Sequence, residues 1–385
     1  MKKLLIVLVL LSIMIIPKVK LNAAKLPTLV ELKSVKSAVL MEVETNTVLY
    51  QFNSEEKRAP ASMTKIMTMK LVLDAIKNNE FSMDDVLTTS SYASSMGGSQ
   101  IYLSVNEKMK VSDLFKSMVI ASANDAAVVL AEKVSGTESN FTKKMNHQAK
   151  LLGCKNTSFQ NATGLPTLDH YTTCYDMALM ACSLLKEYED IVIPYSSMYE
   201  SYIRTDTPNP FWLVNTNKML KTNSLIDGLK TGWTHDAGYC ITTTMKQDGM
   251  RLVCVVMGAE SPTLRNADAM NLLNYGFANF TIDLITKKGE IMEMDSDIFL
   301  EPNKYHIVTS DDVYKVTHKE ENKYEIKQEV VIYKDRIKNL ETKKIGVLKT
   351  YINGNLYLET DLEIVERTKK ASFFDVLYTV FKSLF

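Results

Sequence analysis

The stretch Pro60-Ala61-Ser62-Met63-Thr64-Lys65-Ile66-Met67-Thr68 decides how this chain reads. Apolar residues recur at helical spacing through Met63, Ile66, Met67, Leu71 and Leu73, and Pro60 suits a first helical turn. Ser62 therefore sits at the positive N-terminal end of a predicted helix, with Lys65 one turn on and on the same face. An amine in that position can take the proton of a serine hydroxyl, as an activated nucleophile requires.

The S-x-x-K spacing says little by itself, since a chain of this length holds roughly one or two by chance. This one also contains Ser54-Glu55-Glu56-Lys57 and Ser183-Leu184-Leu185-Lys186. The first lies among charges in a predicted loop. The second falls near the expected end of a helix, with no partner motif following in order. After Ser62, two further motifs do follow. Ser122-Ala123-Asn124 interrupts an apolar helical pattern predicted from about Val111 to Val134. Two polar side chains there, left unpaired, would cost on the order of 1–3 kcal/mol each unless they face a site. Lys230-Thr231-Gly232 stands just ahead of a predicted hairpin, where glycine would let a substrate strand approach the backbone. S-x-x-K, S-x-N and K-T-G in this order form a known signature of penicillin-binding proteins and class A β-lactamases.

Around these motifs the chain reads as strands, then helices, then strands again. Ser37–Val43 and Thr47–Tyr50 are predicted strands, and helices are expected over Phe141–Leu152, Tyr175–Lys186 and Arg265 to about Phe280. Gly238–Thr244 and Arg251–Met257 flank Gln247-Asp248-Gly249 as a hairpin. The order predicts a mixed α/β (α+β) domain, an antiparallel sheet against a helical cluster. Past about Ile285 short alternating segments joined by charged connections predict a small all-β domain.

The chain ends carry their own signals. Lys2 and Lys3 precede an apolar run from Leu4 to Ile16, then Pro17 and the small Ala23 and Ala24, the order of a secretory signal peptide. From Ser372 to Phe385 an apolar stripe including Phe373, Phe374, Leu377 and Phe381 follows Arg367, Lys369 and Lys370. That segment is too short to span a bilayer but suits an interfacial helix on anionic headgroups, so residues 371–385 are expected at a membrane surface. The expected division is 1–24 signal peptide, 25–284 main domain, 285–368 β-sandwich-like domain and 369–385 amphipathic anchor. Export to the outer face of the cytoplasmic membrane follows.

Composition excludes other classes. Lys+Arg and Asp+Glu balance at 45 each, so there is no net pull toward nucleic acid. The five cysteines are too scattered for a disulfide scaffold and read mostly as small buried hydrophobes. The five histidines show no metal-ligand spacing, and neither a metal nor another cofactor is expected.

The sequence resembles the D-alanyl-D-alanine carboxypeptidases, low-molecular-mass penicillin-binding proteins of peptidase family S11. The likeness rests on Pro60–Thr68, on Ser122-Ala123-Asn124-Asp125-Ala126-Ala127, and on Asp227-Gly228-Leu229-Lys230-Thr231-Gly232-Trp233-Thr234 with Ala237-Gly238-Tyr239. Asn156-Thr157-Ser158-Phe159 followed by Gly164-Leu165 adds to it. It covers about residues 30 to 280, and the β domain and tail extend it. Ala123 departs from a frequent glycine, and Trp233 is bulky at a variable position, where it could alter substrate or inhibitor preference.

The resemblance implies a serine β-lactamase/DD-peptidase-like fold that removes the terminal D-Ala from peptidoglycan stem peptides and is acylated by β-lactams. It implies Ser62 as nucleophile and Lys65 as base, kept neutral by burial and by Lys230. Ser122 would relay a proton, and Asn124 would bond the peptide or Lys65. Backbone N–H groups of Ser62 and Trp233 would form an oxyanion hole. Lys230, Thr231, Gly232, Trp233 and Arg265 would bind substrate, with Thr231 and Arg265 facing its carboxylate. None of the glutamates between Asn124 and Lys230 has the E-x-x-L-N context of class A β-lactamases, which speaks against that rival.

Overall fold

In the computed structural model, the structure describes residues 30–295, 300–301, 304–321, 323–333, 343–365, 369–370, 372, 374 and 380. The expected signal peptide lies outside the described residues, as does most of the expected C-terminal anchor. The described residues from Glu31 onward belong to one compact unit.

The central sheet has the order β2-β1-β9-β8-β7, all neighbours antiparallel: β1 Ser37–Glu42, β2 Val48–Phe52, β7 Ile226–Thr234, β8 Gly238–Gln247 and β9 Met250–Ala259. Two small antiparallel strand pairs lie between β2 and β7 in sequence, β3 Val86–Thr88 with β4 Lys108–Lys110, and β5 Glu200–Ile203 with β6 Phe211–Val214. Every residue of β9 is buried, which accounts for its nearly unbroken apolar run. A strand covered on both faces has no polar side to write in its sequence.

The helices are α1 Lys65–Lys77, α2 Ser91–Ser94, α3 Val111–Ile120, α4 Asn124–Ser135, α5 Glu138–Leu151, α6 Cys174–Ser196, α7 Met219–Thr222 and α8 Pro262–Asn279. Val39, Met41, Val253, Val255 and Met257 point from the sheet into the core shared with α1 and α3–α6. Leu40 and Leu252 point the other way, onto Gly276 of α8. Pleat alternation thus assigns one sheet face to the helical cluster and the other to α8. All five cysteines are free and buried, as small apolar residues would be.

The C-terminal part carries β10 Phe280–Thr286, β11 Ile291–Asp295, β12 Leu300–Glu301, β13 Lys304–Thr309, β14 Val313–His318, β15 Ile326–Ile332, β16 Lys344–Ile352, β17 Asn355–Ile364 and β18 Lys369–Lys370. Five of these make a second antiparallel sheet, β11-β13-β17-β16-β15, around Ile307, Ile345, Leu348 and Leu362.

Two expectations change. The helix expected over Val111–Val134 is two helices, because the chain leaves the helical region at Ser122 and Ala123, where Ser122 adopts φ 62°. Ser183 lies, as expected, near the end of a helical run, because Tyr188 leaves helical geometry at φ −142° and ψ 27° and splits α6; its hydroxyl donates to Glu187. Lys230-Thr231-Gly232 does not merely precede a hairpin but lies within β7, the edge strand of the central sheet.

A charged cluster holds that edge strand in place. Arg251 of β9, nearly fully buried, donates to both oxygens of Asp227 at 3.0 and 2.8 Å and to Glu189 of α6 at 3.1 Å. Replacing Arg251 with Met would strip Asp227 of its cation and leave Glu189 with Lys246, 2.9 Å away, in place of two. The expected loss is about 2–4 kcal/mol, below that of a fully buried pair because both carboxylates keep some solvent. Urea unfolding at neutral pH measures it.

Candidate active site

Ser62 lies in a 3₁₀ turn, Ala61–Thr64, that runs directly into α1. Its side chain is half-buried, whereas Lys65, the first residue of α1, has no solvent exposure. Lys65 Nζ stands 3.1 Å from Ser62 Oγ, 2.6 Å from Asn124 Oδ1 and 2.6 Å from the Thr163 carbonyl oxygen. Burial, then the charge of Lys230, holds the Lys65 amine well below the usual lysine range, with Asp125 acting in the opposite direction.

The turn is pinned from below. Thr64 Oγ1 donates to the Ala61 carbonyl and lies 2.8 Å from His170 Nε2. His170 Nδ1 accepts the Gln160 N–H, so Nε2 carries the ring proton and donates to Thr64. Burial pushes the His170 pKa down to about 4, so the ring stays neutral at physiological pH.

The break between α3 and α4 delivers the second motif. Asn124 opens α4; its Oδ1 faces Lys65 and its Nδ2 donates to the Gly97 carbonyl at 2.7 Å. Asp125, fully buried, accepts the N–H groups of Ile101 and Leu103 and so binds the loop before α3 to the start of α4. Ser122 is buried, and among the described residues its hydroxyl has no hydrogen-bond partner. Buried polar side chains nearly always find a partner, so a lone one beside this site calls for a reason.

Lys230 supplies the third motif from β7. It is buried, donates to the Thr231 carbonyl at 3.2 Å, and has its pKa lowered to about 7 by burial and then by Arg265. Thr231 Oγ1 donates to Thr216 Oγ1 at 2.7 Å. Arg265, on the first turns of α8, is buried rather than a surface arginine. Asn266 Oδ1 accepts from its Nε and Nη2, and Cys240 O from its Nη1. Trp233 is 58% exposed and its ring meets Tyr239 at 5.9 Å. Gly232 has a reason beyond the one expected: an added Cβ would come within 2.8 Å of the Pro60 carbonyl and 3.1 Å of Ala61 Cβ. The absent side chain makes room for the chain's own serine turn.

Two contributors are not among the sequence candidates. The Thr163 carbonyl is a backbone acceptor, which no side-chain motif reveals. Gly164 adopts φ 85°, and an added Cβ would overlap the Ala61 carbonyl oxygen at 1.8 Å. The run Gly164-Leu165 is visible in the sequence, but not the contact it serves.

A half-open serine beside a dry lysine, closed by an edge strand and an asparagine, thus lies within the fold of a peptidase of the penicillin-binding type. The chain belongs to the D-alanyl-D-alanine carboxypeptidase family, whose sequence profile matches residues 23–261. It is 42% identical over 344 residues to D-alanyl-D-alanine carboxypeptidase DacF of Bacillus subtilis, covering 89% of this chain and 88% of that one. Penicillin binding protein 5 of Haemophilus influenzae superposes with a TM-score of 0.70 at 26% identity, covering 88% of this chain and 98% of that one. Penicillin-Binding Protein D2 of Listeria monocytogenes, in its ampicillin-bound form, gives a TM-score of 0.57 at 32% identity over 63% of this chain and 97% of that one.

The buried lysines have a measurable cost. The folded state binds fewer protons at Lys230 than the unfolded chain does between about pH 7 and lysine's ordinary 10.5. Stability therefore rises with pH across that window. Lys230→Met, which removes the titration, should raise the urea midpoint at pH 7 and flatten the rise from there toward the ordinary lysine range.

Proposed function

We propose that this protein is a serine-type D-Ala-D-Ala carboxypeptidase that removes the terminal D-Ala from peptidoglycan stem pentapeptides through an acyl-enzyme on Ser62. One observation carries the reading: a fully buried amine, Lys65 Nζ, stands 3.1 Å from the half-buried Ser62 hydroxyl. A lysine with a depressed pKa is a base near neutral pH, which an exposed lysine is not.

Ser62 Oγ attacks the carbonyl carbon of the penultimate D-Ala as Lys65 takes its proton. The C–N bond then breaks, and D-Ala leaves with a proton relayed through Ser122, whose unpartnered hydroxyl suits that role. Water hydrolyses the ester and restores Ser62. Asn124 orients Lys65 and bonds the peptide. Backbone N–H groups of Ser62 and Trp233 take the developing oxyanion. Thr231 and Arg265, with Lys230, receive the substrate's terminal carboxylate, and Gly232 keeps the edge strand against the serine turn. The exposed Trp233 side chain borders the peptide and tunes which substrates and inhibitors fit. β-Lactams, which carry a reactive amide, acylate the same serine; the ampicillin-bound relative supports this.

The proposed setting is extracytoplasmic. Residues 1–24 act as the export signal, 25–284 as the catalytic domain, 285–368 as a β-sandwich-like domain and 369–385 as an amphipathic anchor on the membrane surface. Among the described residues no helix is long and apolar enough to cross a membrane.

Labelled penicillin should give an adduct that maps to Ser62 by mass spectrometry and is absent from Ser62→Ala. A pentapeptide ending in D-Ala-D-Ala should release free D-Ala. An adduct elsewhere, or fast penicillin turnover with no D-Ala release, overturns the assignment. Deleting residues 371–385 should move the protein from the membrane pellet to the soluble fraction; an unchanged pellet contradicts the anchor.

A further inference from the structure

We infer that Glu138 is a positioning residue for the active site: from the far side of the segment 161–165 it sets the Thr163 carbonyl against Lys65. The inference rests on the proposed function only for its kinetic consequence, not for the geometry.

Glu138 opens α5, and its carboxylate is buried, where a charged group needs partners. Oε1 accepts the Ala162 N–H at 2.8 Å, and Oε2 accepts the Tyr92 hydroxyl at 2.5 Å. Hydrogen bonding to Glu138, more than burial, pushes the Tyr92 pKa up to about 12, so Tyr92 remains a donor throughout the working range. On its other side the same short segment faces α1. The Ala162 carbonyl accepts Thr68 Oγ1 at 2.7 Å, and the next carbonyl, of Thr163, accepts Lys65 Nζ at 2.6 Å. One short segment thus spans the distance between a buried carboxylate and the helix that bears the lysine.

The segment has little freedom to take up slack. Asn161 Oδ1 accepts the N–H groups of Thr163 and Gly164, and Asn146, two turns along α5 from Glu138, brackets Phe159 with two bonds of 2.8 Å. Gly164 rests directly on the Ala61 carbonyl, beside Ser62. Displacing Ala162 therefore disturbs the acceptor of Lys65 and the serine turn together. A charged acceptor makes the stronger hydrogen bond, so the anchoring at Ala162 is firmest with the carboxylate and weaker with a neutral acceptor. A shift of about 1 Å in a reacting group can cost on the order of a hundredfold in rate.

The test compares wild type, Glu138→Ala and Glu138→Gln, the last keeping an acceptor for Ala162. Acylation by labelled penicillin is measured at saturating and low concentration on folded, titrated protein, at a temperature well below each variant's Tm. Expected is a limiting acylation rate at least about tenfold lower for Glu138→Ala, with penicillin affinity before acylation unchanged and Glu138→Gln restoring most of the rate. A loss confined to stability, or an equal loss in Glu138→Gln, overturns the inference. A second readout needs no substrate: the titration of Lys65, followed by NMR of ¹³C-labelled lysine, should move in Glu138→Ala, with Lys230 and Asp125 as the charges that also face it. An unmoved Lys65 titration overturns the inference even if wild type forms no Ser62 adduct, an outcome that would by itself sink only the proposed function.

Discussion

An amine with no solvent exposure must find its hydrogen-bond partners in the protein, and for Lys65 the fold brings three from three separate places. Ser62 Oγ comes from the turn ahead of α1, Asn124 Oδ1 from the start of α4, and the Thr163 carbonyl from a segment nearly a hundred residues downstream in sequence. Ser62 is a local partner, three residues ahead in the 3₁₀ turn, whereas Asn124 and Thr163 are brought to the amine only by the tertiary fold. The cost of drying an amine is severe unless such partners are present. The helical cluster is therefore organised around α1, with α4, α5 and α6 among the helices packed against it and their loops turned toward its first residue.

That constraint explains the backbone irregularities. Ala61 at φ 47° and Ser122 at φ 62° are non-glycine residues in a conformation costing on the order of 1–3 kcal/mol each. Both belong to or adjoin a motif. Without the reversal at Ser122, α3 would continue as the helix its apolar pattern favours, and Asn124 would not open a new helix facing Lys65. Gly164 and Gly232 solve the same crowding by removing a Cβ, each where backbone or side chain presses on the serine turn.

Side-chain pattern makes much of this legible. The strands around Glu44-Thr45-Asn46, the helix after Pro60 and the hairpin at Gln247-Asp248-Gly249 follow from periodicity and turn chemistry, which act over a few residues. The three motifs are readable as a set because each contributes side chains. What stays hidden is set by tertiary contact. Ala121-Ser122-Ala123 has no local helix-breaking residue, so its break is imposed from outside. Two glycines in Asp227–Gly232 disguise an edge strand that is held by Arg251 and Asp227. The start of α8 at Pro262, capped by Ser261, precedes the expected Arg265 by about a turn, because Ser-Pro at a helix head outweighs the apolar spacing that follows it. Thr163 acts through its carbonyl and Glu138 through another residue's amide, and neither leaves a motif.

The two buried lysines are not equivalent, and the difference bears on the proposed reaction. Lys65 has two acceptors besides Ser62, whereas Lys230 donates to the adjacent Thr231 carbonyl. Burial and then the charge of Lys230 lower the Lys65 amine, whereas the charge that lowers Lys230 beside its own burial is Arg265. In the resting site this favours a neutral Lys65. In the proposed reaction, once Lys65 has taken the Ser62 proton, the Asn124 and Thr163 oxygens would face a new ammonium with no further rearrangement. Those acceptors gain most when the amine is charged, which is after the serine proton has begun to move. In that reaction they would stabilise the transition state more than the resting enzyme, and only such a difference can accelerate the chemical step.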